Sequence, residues 1–221
     1  EAFVWFLWSE THWQPLQSSA RAERLIADVI HEGTDPIGFR PAYLSGVVTI
    51  VQKRCLLPRP PAPKDVVPFQ NGLLDLHTRA LRPASPDHAL DWVLPHSYDA
   101  KADCPTIRGW LMKAVENDAA TVELLRAWIA ALVRGLSLQV FLMLIGQGGS
   151  GKGTFQRLVS ALIGISNTAI STLQNLETNR FETAKLHGKR LCMINESGRH
   201  GGELNMLKAI TGGDHIPIER K

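Results

Sequence analysis

The chain has 221 residues, 44% of them hydrophobic and 20% charged, with a net charge of only +3. That is ordinary globular composition, enough for a sizeable core and for one or two domains. A nucleic-acid groove is permitted by this charge but not argued by it. Three scattered cysteines, Cys55, Cys104 and Cys192, contain no C-x-x-C pair and exclude a disulfide framework, which fits a reducing cytoplasm. His77, His88, His96 and Cys104 match no zinc spacing.

The run Ala2–Trp8 is apolar but too short to cross a bilayer, and it lacks the basic leader and cleavage site of a signal peptide. The chain begins on Glu1 rather than Met, so it reads as starting inside a larger protein. Residues 2–8 and 12–14 are expected as short strands around Ser9-Glu10-Thr11. A helix follows from Ser18 or Ser19 to about Ile30, stopping near Gly33, with Leu25, Ile26 and Val29 on one face. Pro41–Cys55 has helical spacing at Leu44, Val47, Val48 and Val51 but also a β-branched run; the spacing and Pro41 favour a helix. Arg59–Pro63 reads as a stiff connector. Val66–Phe69 and Leu73–Leu76 flank Asn71-Gly72, a tight-turn signal, and Ala80–Arg82 is expected as a further strand. Helices are predicted over Thr106–Val115 and Thr121–Arg134, the second ended by Gly135.

From Gln139 the pattern becomes strand, glycine loop, helix, strand, helix, as in an α/β core with a parallel sheet. Val140–Ile145 is a continuous apolar run, expected as a strand buried on both faces. Gly146-Gln147-Gly148-Gly149-Ser150-Gly151-Lys152-Gly153-Thr154 follows, then a helix over Phe155–Ile163. This is G-x-x-x-x-G-K between strand and helix. Glycines let backbone N–H groups turn inward around phosphate oxygens, the helix aims its positive end at the same anion, and Lys152 adds a point charge. The other reading is a glycine-rich turn that binds nothing. Ser or Thr usually follows the lysine and ligates Mg²⁺; here Gly153 stands there, and Thr154 would serve through water or a shifted loop.

An ATPase built on this loop needs a carboxylate at the end of a neighbouring strand, to organise the metal and polarise the attacking water. Arg190–Ile194 reads as that strand, with Asn195-Glu196 at its carboxyl end, where open α/β sheets bind ligands. Glu196 is the candidate base and metal organiser, against the plainer reading of a solvated strand-end glutamate. A helix over Leu204–Ile210, then Thr211-Gly212-Gly213-Asp214 and a strand over Ile216–Arg220, lead to Lys221, where the chain stops in mid-pattern and reads as truncated.

Taken together, Gly146–Thr154, Asn195-Glu196 and Lys208–Asp214 running into Ile216–Lys221 resemble the superfamily 3 helicase module of phage and plasmid primase–helicases, the group that includes the poxvirus primase–helicase. Val67–His77, Leu81–Pro86 and Tyr98–Pro105 look like the domain that precedes the helicase there, and Asn179-Arg180-Phe181 with Ala184–Leu191 is also similar. The resemblance implies an incomplete AAA+-type P-loop core over 136–221, preceded by a smaller α+β domain over 1–104 and a helical collar over 105–135. It implies a hexamer that uses ATP and Mg²⁺ to move 3′→5′ on single-stranded or forked DNA, in the cytoplasm of a bacterial host, with no membrane partner. It carries nucleotide binding to Gly146, Gln147, Gly148, Gly149, Ser150, Gly151, Lys152, Gly153 and Thr154, catalysis to Lys152 and Glu196, metal binding to Thr154 and Glu196, and DNA-phosphate contact to Arg220 and Lys221.

Two alternatives stay open. Gly-Ser-Gly-Lys-Gly-Thr at 149–154 also resembles the loop of adenylate kinases, although those begin near their loop and neither a lid nor a monophosphate site is evident here. A non-catalytic ATP-binding remnant is the other, because the sensor strand and arginine finger of the helicase family are expected beyond residue 221.

Overall fold

The computed structural model describes residues 4–16, 18–33, 38–56, 63, 65–194 and 203–216. The expected connector Arg59–Pro63, apart from Pro63, and the expected strand Ile216–Arg220, apart from Ile216, lie outside them. The chain divides into two compact units. One comprises Glu1–Lys64 with Pro83–Trp92, the other Asp65–Arg82 with Val93–Lys221.

In the first unit, β1 (Phe6–Trp8) and β2 (Trp13–Pro15) form an antiparallel hairpin. Trp8 and Trp13 close it as a cross-strand pair, ring centroids 5.5 Å apart and edge-to-face. Trp13 also ties the hairpin to the 83–92 strip, donating from Nε1 to Pro86 O at 2.8 Å and from its backbone N to Leu90 O at 2.7 Å. Helices α1 (Ser19–Gly33) and α2 (Pro41–Arg54) stand where the spacing predicts them. Spacing prevails over the β-branched run in α2, whose Leu44, Val47, Val48 and Val51 are half-buried. On α1 the expected face is partly wrong: Ala22 is buried, while Val29 is 69% exposed.

In the second unit, β3 (Val66–Phe69), β4 (Gly72–Asp75) and β5 (Leu81–Arg82) form an antiparallel meander. Phe69 pairs with Gly72, so the two-residue loop is Gln70-Asn71, one residue earlier than Asn71-Gly72 suggests. The reason is packing: Gly72 has φ +143°, and a Cβ there would stand 2.5 Å from Arg82 O on β5. Asn71 instead bridges outward, donating from Nδ2 to Tyr98 O at 2.9 Å and accepting from Tyr98 N at 2.8 Å.

Helix α3 (Pro105–Ala114) starts on its proline, and α4 (Ala119–Arg134) is capped by Asp118 and ended by Gly135 at φ +68°. Val122, Leu125 and Ala131 are the buried residues of α4, whereas Leu124 is 62% exposed. The remaining elements are α5 (Lys152–Ile163), β6 (Thr168–Ser171), α6 (Leu173–Thr178), β7 (Leu191–Ile194) and α7 (Asn205–Gly212). β6 and β7 pair in parallel, with Ser171 opposite Ile194 at their carboxyl ends.

The expected buried strand Val140–Ile145 is not a strand. No ladder joins it among the described residues, and Val140 and Ile145 are 62% and 86% exposed. A run buried on both faces needs hydrogen-bonding neighbours on both edges, and the described strands supply none. Helix α5, in contrast, is firmly seated. Phe155, Val159 and Ile163, spaced four apart, are its buried stripe. The buried Asn167 donates from Nδ2 to Ile163 O at 2.7 Å and Val93 O at 2.8 Å, which holds the C-terminus of α5 at the entry to β6.

Glu177 on α6 accepts the backbone N–H groups of Met206 and Leu207, each at 3.0 Å, and so caps α7 from another element. The first turn of α7 has no side-chain cap of its own. A carboxylate there satisfies two orphan donors and complements the helix dipole. Glu177→Ala is therefore expected to cost about 1 kcal/mol, with faster amide exchange confined to α7 and its neighbours. Exchange unchanged at Met206 and Leu207 contradicts the cap. Among the described residues, no helix is long and apolar enough to cross a membrane.

Candidate phosphate-loop site

Between the 140–145 segment and α5 the chain makes a narrow turn. Ser150 N donates to Gln147 O at 3.3 Å, Gly149 has φ +80° and Gly151 has φ +93°. Both values lie in the left-handed region that only glycine enters at low cost. Gly151 is also the N-cap of α5, its carbonyl accepting the first helical bond from Phe155 N at 2.9 Å. No side chain caps this helix start, so its leading N–H groups face the loop without a capping oxygen.

Lys152, half-buried, is folded back onto the loop. Its Nζ donates to Gly146 O at 2.7 Å, Gln147 O at 2.8 Å and Ser150 Oγ at 3.2 Å. These neutral oxygens hold the ammonium over the turn, where an anion entering the loop would meet it. Gly146 packs closely here: a Cβ there would stand 2.9 Å from Ser150 Oγ, and that hydroxyl would have to turn aside. Behind the loop, α3 supplies a wall: a Cβ on Gly151 would lie 3.3 Å from Trp110 Cζ2 and 3.9 Å from Ala114 Cβ.

The loop encloses an open cavity of about 300 Å³, lined by Gly149, Ser150, Gly151, Lys152, Gly153, Thr154 and Arg157. Among the described residues, two cations and no carboxylate line it. Together with the positive end of α5, this makes a place suited to an anion. Thr154 Oγ1 accepts from Arg157 Nη2 at 3.0 Å. A divalent cation on that oxygen would first have to displace the guanidinium. Among the described residues no group of three or more His, Cys, Asp or Glu is placed to hold a metal ion.

The expected site residues Gly146, Gln147, Gly148, Gly149, Ser150, Gly151, Lys152, Gly153 and Thr154 thus lie together in the turn and the first turn of α5. Glu196 follows β7 closely in the chain, but Asn195-Glu196 lies outside the described residues, as do Arg220 and Lys221. Three contributions were missed from sequence. Arg157 had a signal, since it stands one helical turn beyond Thr154 on the same face. Trp110 had none, because nothing in the spacing places α3 behind the loop. The third is Glu182, which is 2% exposed and bound to Ser171 Oγ at 2.7 Å and Lys185 Nζ at 3.0 Å near the carboxyl end of β6.

Fold and site define a mixed α/β protein of two units, with a glycine-rich turn at the head of a helix. The family described as D5 N terminal like matches residues 1–116, more than half of the chain, and the chain belongs to that family, whose domain is the N-terminal-like region of primase–helicases. Membership associates it with phage and plasmid primase–helicase-like replication proteins. Residues 144–221, which include the glycine loop, match a family of unknown function, DUF5906. The chain is also similar to the uncharacterized mitochondrial protein ymf21 of Marchantia polymorpha, 28% identical over 126 residues, which cover 51% of this chain and 70% of that protein.

Proposed function

We propose that this chain binds ATP in the Gly146–Thr154 loop and belongs to the ATP-driven helicase of a phage- or plasmid-type primase–helicase. The observation that carries the reading is Lys152 clamped over a glycine-rich turn at the uncapped start of α5. Family membership supplies the replication context.

On this reading the triphosphate enters the turn and its oxygens take up the leading N–H groups of α5. Lys152 Nζ then exchanges the Gly146 and Gln147 carbonyls for phosphate oxygens, a stronger charge-assisted contact. Mg²⁺ belongs to the reading as the counter-ion of the triphosphate, held by phosphate oxygens rather than by Thr154 Oγ1. Glu196, just past the carboxyl end of β7, is assigned as the base that polarises the attacking water. An AAA+-type core, assembly into a hexamer, and Arg220 and Lys221 on the phosphates of single-stranded or forked DNA complete the proposal. The DNA contacts are sequence-independent, so they should weaken steeply with salt.

The test is calorimetric ATP binding by the 221-residue chain and its Lys152→Ala variant. Loss of the ammonium should weaken binding by at least about tenfold, the cost of one charge-assisted contact. Equal affinity in the two proteins removes the loop assignment. AMP-dependent ADP formation that ignores DNA would point to a nucleotide kinase instead.

A further inference from the structure

Arg157 stands on α5 three residues beyond Thr154 and four beyond Gly153, so all three share one helix face. Long side chains on a helix lean back toward its N-terminus, and this one reaches the loop. Its Nη2 donates to Thr154 Oγ1 at 3.0 Å, and it lines the cavity together with Lys152. The guanidinium passes Gly153 in ordinary van der Waals range, since a Cβ there would stand 3.5 Å from Nη1. A guanidinium thus stands beside the position where this loop departs from the usual lysine-then-hydroxyl pattern. Two cations at the positive end of one helix, with no carboxylate among the described residues that line the cavity, repel each other and oppose the helix dipole until an anion arrives.

We propose that Arg157 is a second phosphate-binding residue of the loop, and that its guanidinium does part of the charge neutralisation for which such loops ordinarily use a hydroxyl-bound metal ion. The inference rests on the nucleotide-binding reading above. Its ligand is a polyphosphate, whose paired oxygens match the planar fork of an arginine. Thr154 Oγ1 accepts from Arg157 and keeps its own O–H to donate to a phosphate oxygen. The consequence is a loop that binds polyphosphate well without magnesium.

The experiment measures the affinity of the 221-residue chain for ATP and for tripolyphosphate by calorimetry, once with excess magnesium and once with a chelator. Arg157→Ala should weaken magnesium-free binding of both ligands by about tenfold to a hundredfold. In magnesium the loss should shrink severalfold, because the metal then neutralises the same oxygens. Arg157→Lys, which keeps charge but not the fork, should recover part of the affinity. Arg157 is exposed, and an unchanged thermal midpoint confirms that the variants are folded. Equal losses with and without magnesium, or no loss in either, overturn the proposal while leaving Lys152 as the phosphate contact. Wild-type affinity in Lys152→Ala overturns the loop reading and this inference together.

Discussion

Replacing Glu182 with alanine is expected to lower the stability of the chain by about 2–4 kcal/mol, through a cavity and an orphaned hydroxyl. The carboxylate is 2% exposed and holds Ser171 Oγ at 2.7 Å; among the described residues Ser171, 5% exposed, otherwise has only a long 3.4 Å contact to Thr172 O. Lys185, within 2.9 Å of the carboxylate, contributes less, because its side chain is 61% exposed and returns to water easily. Burial pushes the Glu182 carboxyl up, but the hydrogen bonds from Lys185 and Ser171 and the Lys185 charge outweigh it and hold the group below the ordinary carboxylate range. A carboxyl with a lower pKa in the folded than in the unfolded chain adds stability that is complete above the unfolded value, about 4.3. That stability disappears as pH falls through the lower folded value. Urea midpoints at neutral and acid pH should therefore converge between wild type and Glu182→Gln. Parallel pH profiles for the two proteins are the result that rejects the account.

The second large effect is expected at Gly151. Alanine there must adopt φ +93°, which costs roughly 1–2 kcal/mol for an L-residue. Its Cβ would also press on Trp110 Cζ2 from 3.3 Å. The strain falls on the residue that starts α5 and shapes the turn, so relaxation of the loop moves its N–H groups off the proposed anion position. ATP affinity should drop at least as far as in Lys152→Ala, with a smaller loss of global stability. Because Trp110 abuts this residue, ligand entry should also change its emission, and Trp110→Phe should abolish the part of the signal that comes from this site. Retained affinity in Gly151→Ala means that the turn as described is not the binding conformation.

Much of the local structure was legible because its causes are local. Pro105 and Gly135 bound their helices through fixed backbone preferences, and the Phe155, Val159, Ile163 stripe follows from helical periodicity. The glycine loop was legible for the same reason, since Gly149 and Gly151 sit where the chain must enter the left-handed region. Val140–Ile145 misled because an apolar run records a need for burial, not the neighbours that meet it. Asn71-Gly72 misled by one residue because Gly72 answers to a close approach by β5 as well as to the turn.

The sequence by itself determined that this chain carries a loop of phosphate-binding composition ahead of a helix, with Lys152 at its mouth. Composition, spacing and backbone preference suffice for that, because every residue involved lies within a few positions of the next. Only the tertiary structure decided what surrounds the loop: Trp110 behind Gly151, Glu177 holding α7, and Glu182 buried with Ser171. It also placed the Arg157 guanidinium against Thr154 Oγ1. Such contacts join residues through space, and hydrophobic periodicity records which face is buried but not which group it meets.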